Sequence, residues 1–225
     1  MRHSPASRKR GACHIRGTLW TTRGTRVAAY VDGFSVYHGL REKFDGKYLW
    51  LDFRALIEFF VLDHQELVTA KYFTSRVKKP EESRLRRALY LDALEARGGL
   101  EIVKGKFEHR PYKCPGGCGH EHDRPKEKMS DVNIAVSMLM DAQEDVYDVA
   151  LLICADADLI PAVRAVEDRY DRTVIVISPR GRTSDDLKKN ASAALHISDT
   201  RLARSQLPDP LIKGADRYDR PPEWH

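Results

Sequence analysis

Residues 148 to 154, Asp-Val-Ala-Leu-Leu-Ile-Cys, form an almost wholly apolar run that stops at Ala155-Asp156-Ala157-Asp158. A strand with continuous rather than alternating hydrophobicity is one buried on both faces, and that requires helices on either side of a mostly parallel sheet. Other segments repeat the pattern. Residues 26 to 32 (RVAAYVD) form a short apolar run ending in an acid before Gly33, which reads as a buried strand followed by a turn. Residues 67 to 77 and 100 to 107 predict two further strands, 173 to 177 (TVIVI) another, and 194 to 197 a short last one.

Helices are predicted between these strands. Residues 52 to 62 read as one, and 81 to 97 as another, with Leu85, Leu89, Ala93 and Ala96 at helical spacing and Gly98-Gly99 as its stop. Ser130 is placed to cap a third, in which Val132, Ala135, Val136 and Leu139 form one apolar stripe. A fourth runs from about Asp158 to Arg169, and a short one lies near 184 to 190. The alternation gives an α/β class with a mostly parallel central sheet and helices on both faces. Residues 108 to 128, rich in Pro, Gly, Cys, His and Lys, are expected to be a loop or small insertion. The domain is expected to span 26 to 200, with tails at 1 to 25 and 201 to 225.

Charge separates the domain from its basic end. The net charge is +5, yet seven arginines and lysines fall within residues 1 to 26, where there is no acid; the other 31 basic residues face 33 acidic ones. The high isoelectric point therefore describes mostly the leading segment, read as a disordered tail, and says little about nucleic-acid binding by the domain itself. No run approaches the length of a membrane span, and the leading segment lacks the apolar stretch of a secretory signal. Cys13, Cys114, Cys118 and Cys154 suggest no disulfide framework, so a reducing cytoplasm is the expected compartment.

Asp32, Asp156 and Asp158 all fall just past predicted strand ends, where ligands bind in open α/β sheets, and Asp131 joins them if its helix starts at the same edge. Each acid alone has a structural reading: Asp32 in a turn, Asp131 at the positive end of a helix, Asp156 shaping a turn, Asp158 as a cap. Their shared edge has another. Converging carboxylates repel unless a hard divalent cation binds, and oxygen-only ligation favours Mg²⁺ or Mn²⁺ over zinc. Such an ion polarises a phosphoryl oxygen and activates water, which is the chemistry of phosphodiester hydrolysis.

The segments VAAYVDGFSVYHGL (27 to 40), EKMSDVNIAVSMLMDA (127 to 142) and DVALLICADADLIPAVRAVEDRYDRTVIVISP (148 to 179) resemble, in order and spacing, the NYN domain family. The resemblance covers roughly 27 to 200. It implies a PIN-like fold and metal-dependent ribonuclease activity, with Asp32, Asp131, Asp156 and Asp158 at the family's acidic positions. It also marks departures. Ser35 stands where Asn is usual, and Cys154, Ala155 and Ala157 replace residues that are commonly Ser or Gly.

Two further groups bear on function. Cys114, Cys118, His120 and His122 offer four zinc ligands within nine residues, with glycines between them; a structural zinc site and a plain loop are both open. Arg76 and Lys78 after one strand, Lys106 and Lys113 after the next, and Lys128 beside Asp131 are candidates for contacting a phosphate backbone. Tyr37 is a candidate for stacking on an unpaired base, and Phe34 is read as core. The expected partner is RNA, single-stranded. A non-catalytic RNA-binding module and a phosphatase are the rival functions, the latter weakened because no Asp-x-Asp-x-Thr context surrounds Asp32 or Asp156.

Overall fold

The computed structural model describes residues 24 to 75, 80 to 113 and 121 to 224; over 106 to 113 and 121 to 128 it describes the backbone alone. The main sheet is built from β1 (Thr25–Asp32), β2 (Gln65–Ser75), β3 (Glu101–Lys113), β4 (Glu121–Lys128), β5 (Val149–Ile153), β6 (Thr173–Ser178) and β7 (Ala193–His196). Their order is β4-β3-β2-β1-β5-β6-β7. Six strands run parallel and β4 pairs antiparallel with β3.

The chain therefore winds outward from β1 through β2 and β3, returns, and winds the other way through β5, β6 and β7. The reversal lies between β1 and β5, and in sheets of this kind a crevice opens there, beyond the carboxyl ends of the strands.

Both faces are covered, as the apolar strands require. Val27, Ala29 and Val31 of β1 pack with one core, which takes in α1 (Gly33–Phe44), α2 (Phe53–Glu58), α3 (Glu81–Arg97) and α7 (Asp199–Arg204). Ala28 and Tyr30, pointing the other way, pack with a second core formed by α4 (Ser130–Gln143), α5 (Ile160–Tyr170) and α6 (Asp185–Lys189). Each fully buried Leu or Ile in these layers contributes roughly 1.5–3 kcal/mol. Packing of α1 is tight: a Cβ on Gly39 would stand 2.4 Å from the Arg180 carbonyl oxygen, in the loop after β6.

Several expectations are corrected. The turn expected at Asp32-Gly33 is the start of α1. Residues 108 to 113 and 121 to 128 extend an antiparallel hairpin rather than a loop; it is an edge pair, where the sheet tolerates Pro111 and Pro125 and no apolar alternation announces a strand. The N-cap position of α4 is held by Met129, at φ 80°, and Ser130 is already helical. Its buried face carries Ile134 and Met138, whereas Val132 and Val136 are exposed. The predicted tail packs: Leu202, Leu207, Leu211 and Trp224 are buried in the first core, and β8 (Leu211–Lys213) pairs with β9 (Asp216–Tyr218). Among the described residues no helix is long and apolar enough to cross a membrane.

Candidate functional site

Asp32 and Cys154 leave the sheet side by side, because β1 and β5 pair in parallel with Val31 opposite Ile153. Asp32 is buried, at 3% exposure, and serves as the N-cap of α1. Its Oδ1 accepts the backbone N–H groups of Phe34 at 3.0 Å and Ser35 at 3.2 Å. Its Oδ2 accepts the Ser35 hydroxyl and, at 3.4 Å, the Cys154 thiol. The Cys154 sulfur in turn accepts the Asp156 N–H at 3.2 Å. Ser35 and Cys154, two of the departures noted in the sequence, thus make one connected polar group with Asp32.

Burial first, and the Asp32 charge second, push the Cys154 thiol well above its ordinary range. The buried thiolate is disfavoured, so the sulfur is a donor and not a nucleophile. In native metal-free protein at pH 8 the Cys154 peptide is expected to resist iodoacetamide and to become alkylated only in denaturant, as read by peptide mass mapping. Rapid native labelling at Cys154 would contradict the polar group described here.

Asp156, half-buried, caps a one-turn 3-10 helix at Ala157–Leu159, its Oδ1 accepting the Asp158 N–H at 2.9 Å. Asp158 itself is exposed. Asp131 is half-buried in the first turn of α4. That turn starts at the same edge of the sheet, because β4 runs back along β3 and ends with Lys128 opposite Lys106. Carboxylate oxygens are the donor chemistry that Mg²⁺ or Mn²⁺ takes where several of them converge. Among the described residues no group of three or more His, Cys, Asp or Glu side chains stands close enough to form a ready cation site. The hydrogen bonds account for part of this, since both oxygens of Asp32 and one of Asp156 are turned onto local donors.

Tyr37 is half-buried against the first core, its hydroxyl accepting from Arg41 at 3.1 Å and its ring lying 5.9 Å from the Arg87 guanidinium. Phe34, read as core, is half-buried with its ring 4.2 Å from that of His38. Arg76, Lys78, Cys114, Cys118 and His120 lie outside the described residues. Of Lys106, Lys113, Lys128 and His122 only the backbone is described: Lys106 pairs with Lys128, Tyr112 with His122, and Lys113 with Glu121.

One acid escaped the sequence reading. Asp141, in the last turn of α4, is buried and accepts the Tyr30 hydroxyl at 2.6 Å, while Lys71 lies within 2.8 Å and 3.0 Å of its two oxygens. The signal was present: Asp141 falls in line with Ile134 and Met138 on the buried face of the helix.

A family model described as the NYN domain matches residues 26 to 198. The 6-hydroxy-3-succinoylpyridine 3-monooxygenase HspA of Pseudomonas putida is 26% identical over 238 aligned positions, covering 89% of this chain and 75% of that protein. A crystal structure of a protein of unknown function from Vibrio parahaemolyticus superposes with a TM-score of 0.53 at 21% identity, over 80% of this chain and 96% of that one. That likeness bears on the fold alone.

Proposed function

Because this chain belongs to the NYN domain family, with its nuclease-like fold, we propose that it hydrolyses RNA phosphodiester bonds with the help of a divalent cation. One observation carries the reading: Asp32 and Asp156 leave adjacent strands at the point where the sheet's winding reverses, the crevice in which such folds bind ligands.

Asp156 and Asp158, the accessible pair, would hold Mg²⁺ or Mn²⁺ together with Asp131 and Asp32, directly or through water. When bound, the ion supplies electrophilic polarisation of the phosphoryl oxygen and a more acidic water. The chain's own residues do the rest. Asp32 ties α1 to the sheet edge, and Cys154 ties the Asp156 turn to Asp32. Lys106 and Lys128, whose backbones pair on the neighbouring hairpin, would neutralise phosphates of single-stranded RNA, so binding should weaken steeply with salt. Cys114, Cys118, His120 and His122 remain a proposed zinc site, checked by metal content of the purified protein.

A second reading, an RNA-binding module without turnover, is favoured by the engagement of both Asp32 oxygens in hydrogen bonds. Incubating the full chain with single-stranded RNA and with a phosphomonoester, each in Mn²⁺ or EDTA, separates the readings. Cleavage of RNA in Mn²⁺ alone supports the nuclease; retention of intact RNA in both supports the module; release of phosphate from the monoester overturns both. A further arm offers 6-hydroxy-3-succinoylpyridine with dioxygen and an electron donor, since the monooxygenase of that name aligns with most of this chain.

A further inference from the structure

Beside α1, next to the polar group around Asp32 but lined by none of its side chains, a cavity of about 320 Å³ opens between α1, the end of β2, α3 and Trp224. Its walls are aromatic: Phe34, Tyr37, Phe53, Tyr72, Tyr90 and Trp224 all contribute. It depends on Gly33, where a Cβ would lie 2.4 Å from the Tyr72 ring and drive it from its place.

Three arginines, Arg41, Arg86 and Arg87, line this cavity. Arg26, Arg97 and Arg182 are each bonded to carboxylates, and Arg86, also at this cavity, faces Glu223 at 2.9 Å. Arg41 and Arg87 differ. Arg41, on α1, bonds the Tyr37 hydroxyl; Arg87, on α3, bonds the Thr74 hydroxyl; neither has a carboxylate partner among the described residues. Both flank the same Tyr37 ring. His38 also lines the cavity, and burial first, then Arg182, hold its imidazole below the ordinary range, so a neutral ring adds no third charge at pH 7.

Two guanidinium groups without acidic partners, on facing helices above a small aromatic cavity, match one kind of occupant. A flat ring fills the apolar volume, which lies at the low end for small-molecule pockets, and an anionic group on that ring satisfies the arginines. We propose that this cavity binds a small aromatic anion, its ring among Tyr37, Tyr72, Tyr90 and Trp224 and its carboxylate or phosphate on Arg41 and Arg87. The site does not rest on the nuclease reading, because none of the four aspartates lines it.

Titration of the full chain by calorimetry, with tryptophan emission followed in parallel because Trp224 forms one wall, tests this. The probes are nicotinate, AMP and UMP, with nicotinamide as the uncharged control. Saturable one-to-one binding of nicotinate or a nucleotide is expected, equal in Mn²⁺ and in EDTA, and at least about tenfold tighter than nicotinamide. Preference for nicotinate identifies a free aromatic acid as the source, and preference for AMP or UMP a nucleotide. Arg41→Gln, at an exposed position that leaves the fold intact, and Arg87→Gln should each weaken binding about tenfold, and Arg87→Lys less. No saturable binding by any anionic probe, equal affinity for nicotinamide, or unchanged affinity in Arg41→Gln overturns the proposal, whatever the RNA assay gives.

Discussion

Replacing Asp156 with Asn is expected to lower Mn²⁺-dependent RNA cleavage by about 10³-fold while leaving the melting temperature nearly unchanged, since losing several kcal/mol of cation-borne stabilisation corresponds to a factor of that order. The two halves of the expectation come from different parts of the side chain. As a structural group Asp156 accepts the Asp158 N–H through one oxygen, which Asn reproduces, and Asn and Asp rank alike as N-caps. As the proposed cation ligand it would contribute charge, which Asn lacks. Asp32 does not allow that separation. It is buried with Oδ2 accepting from the Ser35 hydroxyl and the Cys154 thiol, so an amide nitrogen there removes the acceptor of both, forces them to turn, and costs about 1–3 kcal/mol of stability as well. A rate measurement with 5′-labelled single-stranded RNA, alongside thermal unfolding of the same samples, reads both halves. Undiminished cleavage by Asp156→Asn would remove this edge of the sheet from the chemistry.

What the sequence made legible follows from the range of the forces involved. Residues 149 to 153 are apolar because both faces of β5 are covered, and that local fact sufficed to place the strand, the parallel sheet, and hence the edge where Asp32 and Asp156 emerge. The bounds of α3 were legible to its last residue because the Gly98-Gly99 stop ends it, but its buried face was not: Leu85 of the expected stripe is exposed, and Tyr90, Leu91, Ala93 and Leu94 are buried. By contrast α1 begins with Gly33 and carries Ser35, Val36, Tyr37 and Gly39, poor helix formers; it is held by the Asp32 cap and by packing against the loop at Arg180, neither of which periodicity reports. The hairpin of β3 and β4 pairs polar residues at an edge, and the buried Trp224 and Leu211 meet the core from a stretch without regular pattern. Within the site, the partners of Asp32 were hidden for a different reason: Cys154 lies 122 residues away, and only the pairing of β1 with β5 brings its thiol to the carboxylate.

Asp141→Ala is expected to destabilise the protein by about 3–5 kcal/mol, a large share of the 5–15 kcal/mol that holds an ordinary domain together. The side chains of Lys71 and Asp141 are 15% and 11% exposed, so removing the acid strands a cation with little water to solvate it. It also takes away the acceptor of the Tyr30 hydroxyl, which burial and its neighbours Tyr147 and Asp141 keep far above its ordinary range and therefore protonated. Replacing both members of the ion pair by apolar residues, Lys71→Met with Asp141→Leu, removes the stranded charge and should cost less than the single change. Urea unfolding followed by circular dichroism measures both, and a loss under about 1 kcal/mol in Asp141→Ala would mean that solvent reaches Lys71 freely and the pair is a surface one. The consequence reaches the site through geometry. Asp131 lies ten residues earlier on the same helix, about 15 Å along its axis. Asp141 pins one end of α4 to β1 and β2, and Asp131 rides on the other, so the buried ion pair helps fix where the first turn of α4 lies against the sheet.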